Sequence, residues 1–178
     1  MSKICLIPAR GGSKRIPRKN IKLFHGKPLI AWSIESAIQS DIFDQIYVST
    51  DDDEIAQIAK EYGAKIPFLR PRNISDDHSN DNDVRNHFLK WLKEKNLNCK
   101  FLCYLYPTAP FISKNTLDSC LKLLIKSDCY SVKTITKFNY PVQRALKKDK
   151  ENNVSYMWEE FKNYRSQDLN ELFHDAGQ

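Results

Sequence analysis

The chain has no uninterrupted apolar run of the length a membrane-spanning helix needs, about 18–20 residues, and its first apolar stretch is broken by Arg10 after a few residues. A secretory leader does not read that way, so a cytoplasmic protein without a membrane partner is expected. There is no Cys-x-x-Cys pair. The five cysteines, Cys5, Cys99, Cys103, Cys120 and Cys129, are odd in number, which argues against both a disulfide framework and a zinc site. Cys5 and Cys103 sit in apolar runs, where a free thiol packs as a small hydrophobe. No internal repeat, low-complexity tract or linker rich in Gly, Pro or Ser interrupts the sequence. A length of 178 residues with 41% hydrophobic residues then suggests one domain, 1–178, with a real core.

Acidic residues are missing from the N-terminal segment. Every charged side chain from Lys3 to Lys27 is basic, and the first carboxylate is Glu35. The net charge of +6 invites a nucleic-acid reading. Yet the positive charge is focused at one end, while 51–54 and 76–83 are acidic. A focused basic site beside acidic segments suits a small anionic ligand, and no nucleic-acid partner is expected.

The focus of that charge is the run Ile7-Pro8-Ala9-Arg10-Gly11-Gly12-Ser13-Lys14-Arg15-Ile16-Pro17-Arg18-Lys19-Asn20, directly after an apolar first strand. A glycine pair lets the backbone approach a ligand closely. Successive N–H groups with flanking Arg and Lys make an anion-binding loop. The run lacks the Gly-Lys-Ser/Thr of a P-loop and the three spaced glycines of a dinucleotide fingerprint. From charge pattern alone, a solvated basic turn stays open as an alternative.

Strand-like runs at 4–8, 45–49, 66–69, 101–106 and 130–134 alternate with helical patterns at 29–39, 51–62, 81–95 and after Ser113. The first helix is expected to bury Ile30, Ser33, Ile34, Ala37 and Ile38. Thr50 or Asp51 is the expected cap of the second, with Asp52, Asp53 and Glu54 at its positive end and Gly63 as its stop. Such alternation predicts an α/β fold with a mostly parallel sheet covered by helices on both faces. Ligands then bind at the carboxyl ends of the strands, where the basic loop, Thr50-Asp51 and Tyr106-Pro107 all emerge. Beyond Thr136 the pattern changes. A charged turn, 147–153, separates 142–146 from 154–158 and reads as a hairpin, either folded on its own core or projecting with Tyr156, Met157 and Trp158 exposed.

The stretch from Ile7 to Ile34 resembles the N-terminal signature of the cytidylyltransferases that activate nine-carbon acidic sugars, the acylneuraminate (CMP-sialic acid synthetase) family. The resemblance continues through Val48-Ser49-Thr50-Asp51-Asp52, Phe68-Leu69-Arg70-Pro71 and Ser75-Asp76-Asp77. Tyr106-Pro107-Thr108-Ala109-Pro110-Phe111 and Asp175-Ala176-Gly177-Gln178 resemble the members that act on pseudaminic acid; the sialic acid enzymes usually carry Gln where Tyr106 stands. The resemblance implies a Rossmann-like nucleotidyltransferase domain, with about 137–165 as a dimerisation arm of a homodimer. It implies CTP and an acidic nonulosonic sugar as substrates, Mg2+ as cofactor, and a CMP-sugar and pyrophosphate as products.

In that frame Arg10, Lys14 and Lys19 are the cations for the triphosphate. Gly11, Gly12 and Ser13 give close backbone approach, and Asn20 addresses the nucleoside. Arg15 and Arg18 stay open between phosphate and solvent, and Lys22 and Lys27 read as surface charges. Arg70, Ser75, Asp76 and Ser79 match positions that contact the nucleoside in relatives, with a plain polar loop as the alternative. Tyr106, Thr108 and Ala109 are expected to face the sugar, and Gln143, Arg144, Arg165 and Asp175 are further candidates. Arg165 is favoured by the substrate carboxylate. His78 and His87 are given no catalytic role. Relatives continue past an Asp-Ala-Gly-Gln like this one with an aromatic-rich strand and an Asp-x-Asp magnesium motif. The resemblance therefore implies a chain lacking the C-terminal part of the family domain, with its usual metal ligands beyond Gln178. A non-catalytic CTP-binding remnant and a basic nucleic-acid module are the alternatives.

Overall fold

The computed structural model describes residues 2–77 and 79–178. They form two compact units. The first runs to Val132 and takes in Gly177–Gln178, and the second is Lys133–Ala176. No helix among the described residues is long and apolar enough to cross a membrane.

The first unit is organised around β1 (Lys3–Pro8), the middle strand of a three-stranded parallel sheet. Its neighbours are β4 (Gln45–Ser49) and β5 (Phe101–Tyr104), in the order β4-β1-β5. Cys5 is in register with Ile46 on one side and Cys103 on the other. A strand buried on both faces reads as a continuous apolar run, and Ile4 to Ile7 are each at most 2% exposed. Alternation divides them. Cys5 and Ile7 pack with Ile30, Ile34, Ile55 and Leu117, whereas Ile4 and Leu6 pack with Tyr47, Phe88 and Leu92.

The helices on the first face are α1 (Leu29–Ser40), α2 (Asp53–Glu61) and α4 (Lys114–Lys126); α3 (Asp81–Glu94) alone covers the second. Each boundary has a local cause. Asp41 takes a left-handed conformation (φ 58°) after α1. Asn80 and Asp83 form a reciprocal capping box at the start of α3, and the Ser113 hydroxyl accepts from the Thr116 N–H at 3.2 Å. Between the basic loop and α1 lies a two-residue ribbon, β2 (Leu23–Phe24) with β3 (Lys27–Pro28). Its turn, His25-Gly26, has φ of 48° and 83°, the handedness a tight hairpin needs.

Two expected strands are absent. The 66–69 segment runs beside β4 but bridges only at its ends, Tyr47 with Lys65 and Thr50 with Leu69. Pro67 has no N–H to give a ladder there. The 130–134 run is irregular, and the strand forms further on, in the second unit. Ile38 is 45% exposed rather than buried, and Leu117 is the buried residue of α4. α2 is capped by Asp52, not by Thr50 or Asp51: the Asp52 carboxylate accepts from the Ile55 N–H at 3.0 Å.

The second unit holds two antiparallel pairs. β6 (Ile135–Lys137) pairs with β9 (Phe173–Asp175), and β7 (Leu146–Lys148) pairs with β8 (Val154–Tyr156). The expected hairpin therefore forms with shorter strands, because 142–144 turns as a 3-10 helix. The Asp149 carboxylate holds its charged turn, accepting from the N–H groups of Glu151 (3.0 Å) and Asn153 (2.8 Å).

Phe88 is fully buried; it stacks on Trp91 of the same helix and joins α3 to Tyr47 of β4. Phe88→Ala should lower unfolding free energy by about 3–5 kcal/mol, read as a shift of the urea midpoint at constant slope; a shift below a quarter of that would mean α3 is not the main cover of this sheet face.

Candidate active site

β1 ends at Pro8, and the chain leaves the sheet at its carboxyl edge as the basic loop. The loop wraps round one amide. Asn20, 4% exposed, donates from Nδ2 to the Arg10 carbonyl at 2.9 Å. Its Oδ1 is buried with no hydrogen-bond partner among the described residues.

Acidic residues around the start of α2 fix the loop from outside. The Gly11 N–H donates to Asp51 Oδ1 at 2.9 Å. Arg18, in a left-handed conformation (φ 54°), pairs with both Asp52 and Glu54. The Arg18 bond holds the Asp52 carboxyl below the usual carboxylate range, and raises Arg18 in return. Gly11 thus uses its N–H on the protein, not on the cleft. A Cβ there would stand 2.7 Å from Asp52 Oδ2, whereas one on Gly12 meets nothing within 4 Å.

A cleft of about 690 Å³ opens beside this loop. Its lining comes from four segments: the loop itself (Arg10, Ser13, Lys14, Arg15, Ile16, Lys19, Asn20), the segment of Arg70, Ile74 to Asp77 and Ser79, the start of α3, and Tyr104 with Tyr106 to Thr108. Of the residues expected at the nucleotide, Arg10, Ser13, Lys14, Lys19, Asn20, Arg70, Ser75, Asp76 and Ser79 all line it; Gly11 and Gly12 stand outside its lining. Tyr106 and Thr108 line it too. Ala109 packs in the core at 4% exposure, its N–H toward Ser33 Oγ at 3.4 Å. Gln143, Arg144, Arg165 and Asp175 belong to the second unit. There the first two donate to the carbonyls of Asn170 (2.9 Å) and Tyr164 (2.7 Å), Arg165 forks onto Asp168, and Asp175 pairs with Lys133.

Two cations in the cleft, Arg10 and Lys14, share one carboxylate of the chain itself, Asp77. Arg10 Nη2 is 3.0 Å from Asp77 Oδ1, Lys14 pairs with the other oxygen, and Arg10 Nη1 donates to the Asp76 carbonyl at 2.5 Å. The Lys14 bond draws the Asp77 carboxyl down. Arg70 is the buried cation, its side chain 3% exposed. It donates from Nε to Ser75 Oγ at 3.1 Å and lies 3.9 Å from Asp51, and burial pulls it below its ordinary value. His87 sits edge-on to Phe68 with burial lowering its pKa, outside the cleft lining. His78 lies outside the described residues. Among those, no three His, Cys, Asp or Glu side chains gather as a metal site.

The residues in sequence give no signal for Asp81 as a site residue, leave Arg15 open between phosphate and solvent, and carry Asp77 only within the resembling run Ser75-Asp76-Asp77. Arg15 lines the cleft; Asp81 accepts hydrogen bonds from Tyr104 and Tyr106 across it. An acidic residue in a helix's first turn reads as a partner for the helix dipole, which hid Asp81 in the sequence.

A parallel sheet whose central strand opens into a basic, Gly-containing loop over a polar cleft defines a nucleotide-binding α/β protein. A family model described as cytidylyltransferase matches residues 4–175, and the chain belongs to that family. It is 48% identical, over 99% of its own length and 76% of the relative's, to the pseudaminic acid cytidylyltransferase of Campylobacter jejuni. It is 38% identical, over 67% of its length and 52% of the relative's, to the CMP-N,N'-diacetyllegionaminic acid synthase of Legionella pneumophila. Its fold matches that of a CMP:2-keto-3-deoxy-manno-octonic acid synthetase solved with CTP, at TM-score 0.68 and 21% identity, covering 99% of this chain and 72% of that one.

Two outcomes follow from the loop's anchorage. Gly11→Ala should cost about 1–3 kcal/mol of stability in urea denaturation, with Gly12→Ala within about 0.5 kcal/mol; equal effects would mean Asp52 simply moves aside. The Asp52 carboxyl is depressed in the folded state. Its contribution is therefore complete above the unfolded value near 3.9 and lost as pH falls through the lower folded value. Stability of Asp52→Asn should consequently fall less steeply on acidification below about pH 4, and parallel acid limbs would contradict this.

Proposed function

We propose that this chain joins pseudaminic acid to CMP, with a sugar hydroxyl attacking the α-phosphate of CTP and pyrophosphate leaving. The observation that carries the reading is 48% identity along 99% of the chain to the Campylobacter enzyme. Supporting it, one cleft gathers the basic loop, Arg70 to Ser79 and Tyr104 to Thr108.

In this reading Arg10, Lys14 and Lys19 take the triphosphate. Phosphoryl transfer depends mainly on positioning and charge neutralisation. A phosphate entering beside Arg10 and Lys14 replaces one anion, the Asp77 carboxylate, by another of similar donor requirements. The Ser13 N–H donates to the Gly11 carbonyl at 2.9 Å, so the group Ser13 offers the phosphates is its hydroxyl, in the cleft lining. Asn20 offers its Oδ1, unpartnered among the described residues, to a nucleoside hydroxyl, and Arg70, Ser75, Asp76 and Ser79 enclose the nucleoside. Tyr106 and Thr108 face the sugar. The second unit is assigned to a homodimer contact. Its exposed Tyr140, Met157 and Phe173 suit burial against another chain, and Gln143, Arg144, Arg165 and Asp175 are proposed to serve the sugar in that assembly.

The test is pyrophosphate release by the purified chain with CTP, magnesium and pseudaminic acid, with sialic acid, ATP and metal-free samples alongside. Release confined to the complete CTP mixture is expected. Arg10→Ala and Lys19→Ala should weaken CTP binding about 10-fold or more. CTP binding without release would leave a nucleotide-binding protein; neither binding nor release would refute the reading.

A further inference from the structure

The segment that carries Asp77 is restrained on both sides of it. Ahead of Asp77, the Ser75 hydroxyl donates to the Pro71 carbonyl at 2.9 Å and accepts from Arg70 Nε at 3.1 Å. Beyond it, the Ser79 N–H and hydroxyl both donate to Asp76 Oδ1, at 2.8 and 2.7 Å. Between these anchors the Asp77 carboxylate reaches across to the basic loop. Its oxygens are divided between two cations, Oδ1 to Arg10 Nη2 at 3.0 Å and Oδ2 to Lys14 Nζ. The other arm of the Arg10 guanidinium donates to the Asp76 carbonyl at 2.5 Å. Arg10 thus commits both arms of its fork to the 76–77 segment.

A carboxylate shared by an Arg and a Lys makes the charge-assisted hydrogen bonds that a phosphate would make there. The Arg10 and Asp77 side chains are 36% and 34% exposed, so water and salt weaken the pair and leave it exchangeable. The Lys14 bond, with help from Arg10, holds the Asp77 carboxyl below its ordinary range, and it is ionised at neutral pH. Because its segment is anchored on both sides, a displaced Asp77 stays near the cations at high effective concentration.

We propose that Asp77 is an internal competitor for the phosphates: it holds the Arg10–Lys14 position until a phosphate group of CTP displaces it, and returns there as pyrophosphate leaves. This rests on the reading of the cleft as a CTP site. The loop then grips polyphosphate less tightly than its cations would alone, which favours release of the highly charged product. Asp77 makes no bond to the reacting atoms; it acts through Arg10 and Lys14.

Asp77→Asn keeps the size of the side chain and removes its charge. The measurement is calorimetry of wild type and variant with inorganic pyrophosphate, CTP and cytidine, without added metal. Expected is about 3- to 10-fold tighter binding of pyrophosphate and CTP by the variant, with cytidine within about 2-fold. Pyrophosphate should inhibit turnover at a correspondingly lower concentration. A merely structural role would not raise affinity. Lys14→Met separates displacement from a general loss of negative charge: on that background the gain from Asp77→Asn should shrink by half or more, whereas a field effect would leave it whole. Equal or weaker pyrophosphate binding by Asp77→Asn would overturn the proposal, as would an undiminished gain on the Lys14→Met background. Failure of both wild type and Asp77→Asn to bind CTP and pyrophosphate would overturn the functional reading itself, and the inference with it.

Discussion

A strand hydrogen-bonded on both edges and buried on both faces can release its chain only at its end. β1 is in that position, between β4 and β5 with Ile4 to Ile7 out of water. Its parallel neighbours end at the same edge, so three segments leave the sheet together. Much of the site in the first unit follows from that shared edge. The basic loop follows β1, Asp51 and Asp52 follow β4, and Tyr106 and Thr108 follow β5. The helices α1, α2 and α4 on one face and α3 on the other keep the strand dry, and they have no other way to bury their own apolar stripes.

The second constraint is electrostatic. A loop dense in Arg and Lys repels itself unless carboxylates are placed among the cations. The structure divides that task. Asp52 and Glu54 hold Arg18 outside the cleft, and Asp51 takes the Gly11 N–H. Inside it, Asp77 lies between Arg10 and Lys14. The outer pairs fix the loop's course, and the inner one occupies the place suited to an anionic ligand. Two acidic runs that look alike in sequence therefore have different work, one structural and one within the site.

Much of this was legible in the residues. Continuous apolar runs marked β1, β4 and β5, and the basic run with its glycine pair marked the anion loop. The motif from Ile7 to Ile34 carried the family. What failed was local. Pro67 interrupts a ladder that the apolar character of 66–69 suggested, and the strand expected at 130–134 forms at Ile135–Lys137 in another unit. Asp51, Asp52 and Asp53 are chemically equivalent as caps; which of them caps α2 depends on where β4 ends and the helix turns. Gly11 and Gly12 are likewise identical in sequence terms, and only the position of Asp52 crowds a side chain at one of them.

The sequence by itself determined the class of fold, the anion-binding loop and the cytidylyltransferase family, because these depend on residue type and short-range order along the chain. The tertiary structure decided which carboxylate meets which cation, and that Asp81 gathers the hydroxyls of Tyr104 and Tyr106. Those pairings join residues far apart in the chain, Arg18 with Asp52 at a separation of 34 and Tyr104 with Asp81 at 23. Hydrogen bonds act over about 3 Å, and sequence separation says nothing about distance until the sheet has brought its strand ends to one edge.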